Sequence, residues 1–116
     1  MSKERITEAL KGFGFSTIDT QVYFFLANQG AHEISEMVSA LNLHERKVRA
    51  SLKDLQNMSI IKASIECPLK FEALPFEELI NIIIEIKKEQ AKTLKATREE
   101  LISSWRSITE KDYEKS

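Results

Sequence analysis

Sulfur, proline and glycine are all scarce in this chain, and each scarcity closes off a class of structure. A single cysteine, Cys67, excludes an intramolecular disulfide and suits a reducing compartment. With only two histidines beside it, His32 and His44, it falls short of the Cys/His spacing of a zinc site. Two prolines and three glycines in 116 residues leave few natural breaks, which favours helices joined by short loops. No apolar run approaches the roughly 18–20 residues of a membrane span, since Ile82-Ile83-Ile84 is closed off by Glu85. The N-terminal Met1-Ser2-Lys3-Glu4-Arg5 leads into no apolar signal core. The expected setting is the cytoplasm, with no membrane partner.

Catalytic constellations are missing as well. His32 and His44 stand twelve positions apart with no Asp or Ser arrangement that makes them acid–base partners. There is no glycine-rich phosphate loop. The expectation is a protein that is not an enzyme and holds neither metal nor cofactor. Cys67 falls at a predicted turn, where a redox switch stands beside the plainer reading of a solvent-exposed thiol.

What is present is 42% hydrophobic and 30% charged, a globular composition well outside the disordered regime. The net charge of −1 is unevenly spread. Residues 1–43 carry three basic and five acidic side chains, residues 44–75 six and four, and residues 76–116 eight and nine. Positive charge therefore gathers in the middle of the chain, the local footprint of a small nucleic-acid reader on an otherwise near-neutral protein.

That middle stretch is Leu43 to Leu55. Val48, Leu52 and Leu55 recur at the i, i+4, i+7 spacing of a helix buried along one stripe. Arg46, Arg49, Lys53 and Asn57 recur at i, i+3, i+7 and i+11 and line the opposite face. Ahead of it, Met1 to Gly12 reads as an amphipathic helix with Ile6 and Leu10 inward. Gly12-Phe13-Gly14-Phe15 breaks it and directs two phenylalanines to the core. Ser16 and Asp19 have the spacing of a capping box for a helix over Thr17–Gln29 that buries Ile18, Val22, Phe25 and Leu26, with Gly30 in left-handed backbone at its end. Ala31-His32-Glu33-Ile34 is long enough for one strand residue pair only. Ser35 is the candidate N-cap of a short helix to Leu41, burying Met37, Val38 and Leu41. Asn42-Leu43-His44 is then a tight turn, and the basic helix runs over 45–57. Two short helices, a turn and a cationic second helix make a helix-turn-helix.

After Met58 the period changes from 3.6 to 2. Ile61, Ala63 and Ile65, then Leu69, Phe71 and Ala73, alternate with polar neighbours around a turn at Glu66–Leu69, which predicts a β-hairpin. A hairpin there is the wing of a winged helix, with Lys62 and Lys70 placed to meet phosphates. From Pro75 no Gly or Pro interrupts the chain. The pattern predicts a helix to about residue 110, roughly 50 Å long at 1.5 Å per residue, with 111–116 as a frayed tail. Ile80, Leu94, Leu101 and Ile108 share one heptad position, broken by Lys87. Ile84, Ala91 and Trp105 share the other, broken by Arg98. The two cations either set register or mark a helix that packs on more than one surface.

In that order the chain resembles the DNA-binding domain of the archaeal TrmB-like transcriptional regulators. The matching stretches are Leu10 to Ser16, Gln21-Val22-Tyr23 through Gly30, Ser35-Glu36-Met37, Lys47-Val48 through Leu55, and Phe71 through Leu79. MarR-like and PadR-like winged helices share much of the pattern. The resemblance implies a mainly α fold with a small hairpin, a winged domain over 1–75, and DNA recognition by 45–57. It further implies a homodimer joined through the long helix at 76–110. Double-stranded DNA and a second copy are then the partners. Arg46, Arg49, Lys53 and Asn57 are the candidates for base edges, and Lys47, Ser51, Lys62 and Lys70 for the phosphate backbone. Ala50 lies on the same surface, and His44 is either a turn residue or a phosphate contact. Three departures stand out. His44, Arg46 and Arg49 replace the proline, serine and tyrosine frequent in the family, which makes the reading surface this chain's own. The chain stops before a C-terminal sugar-sensing domain, and its net charge is slightly acidic. Two alternatives stay open: a winged-helix adaptor whose basic face meets an acidic protein, and a regulator sensing a small apolar ligand.

Overall fold

The structure, a computed structural model, describes residues 2–115, with side chains described for 3–109. Five helices and one hairpin follow in the order α1 (Ser2–Gly12), α2 (Thr17–Gln29), α3 (Ile34–Leu41), α4 (Glu45–Asn57), β1 (Ile61–Ala63), β2 (Phe71–Ala73) and α5 (Phe76–Lys115). This is the winged helix-turn-helix that the sequence predicts. The chain divides into two compact units, residues 1–80 and 81–116.

In the first unit the ends of α2 and α3 have local causes. Ser16 caps α2 in a complete capping box: its Oγ accepts from the Asp19 amide (3.0 Å), and Asp19 Oδ2 accepts from the Ser16 amide (3.1 Å). Gly30 closes α2 at φ 84°, ψ −168°, a positive-φ conformation outside the left-handed helical well that the sequence suggested. Only glycine adopts it without strain. The N-cap of α3 is Glu33, not Ser35, because Glu36 Oε1 accepts from the Glu33 amide at 2.8 Å and moves the first turn back to Ile34. Asn42 ends α3 in true left-handed backbone, φ 53° and ψ 49°, which asparagine tolerates better than other side-chain-bearing residues.

The core joins Leu10, Phe15, Val22, Leu26, Met37, Val48, Leu52, Leu55, Ile60, Ile61, Phe71 and Leu79, all buried. Several sequence assignments shift by one helical position. Phe13 is 36% exposed, and Ile18 and Phe25 are half-buried, whereas Thr20 and Tyr23 take buried places on α2. In the hairpin Ile61, Lys62 and Ala63 pair antiparallel with Ala73, Glu72 and Phe71. Regular pairing is shorter than the alternation suggested: Ile65 is fully exposed and Leu69 half-exposed. Alternation continues in the sequence past the point where a second surface exists to cover it. His32 adds a single bridge on the other side of Phe71, exchanging amide–carbonyl bonds of 3.1 and 2.8 Å, so the short segment after α2 does supply one strand pair. Its imidazole Nδ1 lies 2.9 Å from Gly30 O and its ring packs edge-on to Phe25, a structural role.

The second unit is helical throughout. α5 continues to Lys115, beyond the residue-110 limit drawn from the sequence, and Ser116 lies outside the described residues.

Tyr23 ties α2 to Leu74, the residue that follows β2. It is 1% exposed, and its hydroxyl donates to Leu74 O at 2.7 Å. Burial pushes its phenol from 10.0 up to about 12. The unfolded phenol ionises near pH 10 while the folded one stays neutral, so its contribution is complete below pH 10 and is lost as pH rises through about 12. Tyr23→Phe should cost about 1 kcal/mol at neutral pH through the lost hydrogen bond. It should also flatten the fall in stability above pH 10. Urea unfolding midpoints of both proteins across that range provide the measurement.

Candidate nucleic-acid interface

The basic helix α4 owes its orientation to its buried side. Val48, Leu52 and Leu55 sit in the core against α2, α3 and β1, and this turns the opposite face to solvent. Ser51 completes the buried stripe. It is 4% exposed, and its hydroxyl donates to Asp19 Oδ1 at 2.6 Å, a short bond to a carboxylate. This overturns the assignment of Ser51 to the phosphate backbone: the hydroxyl is already used inside the domain. Asp19 was legible from the sequence only as a cap, yet its second oxygen also anchors α4.

His44, Arg46, Lys47, Arg49, Ala50, Lys53 and Asn57 are all exposed. His44 is the N-cap residue of α4, but its side chain makes no capping bond. The cationic face is partly compensated from within, since Arg49 Nε lies 3.3 Å from Glu45 Oε2 one turn earlier. Both side chains are about 60% exposed, so this pair is weak and readily exchanged for another anion. Glu45 is a residue that charge counting alone passes over. The i, i+4 spacing to Arg49 is the signal that identifies it.

Lys62 and Lys70 are exposed on the hairpin of the same unit. Lys62 stands directly across from Glu72, which lowers the net charge of that edge. Lys70 is held by its backbone: its carbonyl accepts from the Ser64 amide at 2.8 Å, and its amide donates to Ser64 Oγ at 3.0 Å. Ser64 is thus the staple of the wing, using a side chain where the ladder runs out. The α4 set and the wing lysines therefore belong to one compact unit, while all the heptad residues from Ile84 onward lie in the other. There Ile84, Leu94, Leu101, Trp105 and Ile108 are 44, 61, 51, 66 and 56% exposed. Ala91 is also exposed, and Ile80, in the first unit, is half-buried.

Among the described residues no cluster of His, Cys, Asp and Glu suits a metal ion, and no helix is long and apolar enough to cross a membrane. The exposed cationic helix face and adjacent wing can take a polyanion.

Comparison with known proteins bears on that surface. Residues 10–77 match the family model of the sugar-specific transcriptional regulator TrmB. A possible transcriptional regulator from Methanosarcina mazei Go1 superposes with a TM-score of 0.66 at 18% identity, over 82% of this chain and 87% of that one. A MarR family protein from Bacillus stearothermophilus superposes with a TM-score of 0.56 at 16% identity, over 97% and 83%. These likenesses establish the fold. A pyridoxine 5'-phosphate synthase of Hydrogenobaculum sp. is 30% identical over 96 residues, 83% of this chain. The chain spans only 36% of that relative's length, so the enzyme's activity does not come with the match.

Ser51→Ala should lower stability by roughly 1–3 kcal/mol, the cost of removing a buried partner from a carboxylate. The change is read as a shift in urea midpoint, with Ala50→Ser on the exposed side of α4 as the control expected to stay within about 0.5 kcal/mol.

Proposed function

The chain belongs to the TrmB family of transcriptional regulators, and from that premise we propose that it binds double-stranded DNA as a homodimer, with α4 in the major groove and the wing on the phosphate backbone. The observation that carries this reading is the division of α4 into two faces. Val48, Ser51, Leu52 and Leu55 hold the helix in the core, while Arg46, Arg49, Lys53 and Asn57 stand free of it on the exposed side.

Arg46 and Arg49 are the residues for guanine, which offers two acceptors to a guanidinium, and Asn57 suits adenine. Lys47, Lys62 and Lys70 meet phosphates and set register without reading sequence. His44 and Ala50 border the contact. Two copies place two such helices on half-sites one turn apart, about 34–36 Å. The exposed apolar row of α5, Ile84, Ala91, Leu94, Leu101, Trp105 and Ile108, supplies the surface for pairing. On DNA the Arg49 guanidinium exchanges Glu45 for a base or phosphate. Because that pair is solvent-exposed, the exchange costs little.

Three substitutions test the assignment by gel shift on a randomised operator library. Arg49→Ala should weaken binding by roughly 1–3 kcal/mol and relax preference at one base position. Lys62→Ala should weaken all sequences alike and reduce the salt slope by about one. Glu45→Gln should tighten binding several-fold at low salt, since it removes a negative charge and releases Arg49. Absence of any specific retardation on genomic fragments would favour the adaptor reading, in which the same face meets an acidic protein.

A further inference from the structure

The two cations in the seam of α5 discriminate between ways of pairing it. We infer that two copies of α5 pair antiparallel, with the two-fold axis crossing the helices beside Ala96; this rests on the homodimer proposed above. A two-fold dimer with parallel helices must be in register, because each residue then meets its own copy across the axis. Lys87 would face Lys87 and Arg98 would face Arg98 inside the seam, two like-charge layers in an otherwise apolar stripe.

An antiparallel two-fold pair matches each seam position with a different one. With the axis at residue 96, Ile84 meets the partner's Ile108, Lys87 meets Trp105, Ala91 meets Leu101, and Leu94 meets Arg98. Every layer from 84 to 108 is used, and no cation opposes a cation. The lysine lies against the indole face, where the ring quadrupole attracts it, and the smallest seam residue lies across from a leucine. Arg98 already directs its guanidinium to Glu99 at the edge of the stripe, leaving its alkyl stem for the partner's Leu94. Moving the axis one step toward the N-terminus sets Lys87 against Arg98. Moving it one step toward the C-terminus pairs Ile84 and Lys87 with positions 115 and 112, beyond Ile108, the last residue of the apolar row. Trp105, Leu94 and Ile108 are more than half exposed on the single chain, the state that such pairing resolves.

Oxidative cross-linking decides the arrangement. Cys67 is exposed and is first replaced, giving a Cys67→Ser background. Ala91→Cys and Leu101→Cys are then introduced singly and together. Ten residues along one helix, about 15 Å, separate the two positions, too far for a bond within a chain. Antiparallel pairing brings 91 against 101 of the partner, so the double variant should form covalent dimer at least about tenfold more than either single variant. Covalent dimer from the single variants at the level of the double variant would establish parallel pairing and overturn the inference. Sedimentation of the Cys67→Ser protein separates the two failures. A monomer at micromolar concentration refutes the homodimer itself, whereas a dimer with parallel cross-links refutes only the orientation.

Discussion

The carboxylate of Asp19 is the group on which the orientation of α4 and its exposed cationic face depends. One oxygen receives the Ser16 amide and starts α2; the other receives the Ser51 hydroxyl and fixes the rotation of α4 about its axis. Capping and helix docking therefore share one side chain. Rotating α4 by a single residue, about 100°, would carry Ser51 out of reach and bring Arg49 or Lys53 toward the core, where an unpaired charge is costly. The apolar stripe of Val48, Leu52 and Leu55 supplies most of the attraction, but such contacts are tolerant of small rotations. The short hydrogen bond is directional and is not.

A similar division of labour shapes the wing. Ile61 and Phe71 bury one face of the hairpin and Ala63 lies half-covered, but only three residue pairs join the strands. Beyond them Ser64 takes over with its backbone amide and its hydroxyl, both on Lys70. The lysine is thereby positioned by its main chain while its side chain stays exposed. Opposing acids temper the whole surface: Glu45 beside Arg49, and Glu72 across from Lys62. In the DNA-bound state proposed above, such compensation weakens the attraction to indifferent polyanions and leaves base-edge contacts a larger share of the affinity.

α5 poses a different balance. It is 40 residues long, and its apolar row is exposed on the single chain. Lys87 and Arg98 interrupt that row, and in the pairing inferred above their positions restrict which partner helix fits. Charged seam residues of this kind specify register and orientation more than they stabilise.

Much of this was legible in the sequence, for identifiable reasons. Element order, the boundaries of α4 and the capping box of α2 follow from local spacing, because a helix stripe and a cap are set by residues within four positions of one another. The exposed cationic row on α4 follows from the same spacing. Other features required the third dimension. Ser51 reads as a surface hydroxyl until Asp19, thirty-two positions away, is brought beside it. Ile65 and Leu69 alternate as a buried strand does, but no surface lies over them. Tyr23 rather than Ile18 or Phe25 fills the core because the packing of α2 against α1, α3, α4 and β2 chooses its inward face, which periodicity of a mostly apolar helix leaves undetermined. Which elements form, and where charge collects, follow from local properties of the chain. Tertiary structure alone decided which polar groups are consumed in holding the fold and which remain free for a partner, since that depends on residues far apart in the chain.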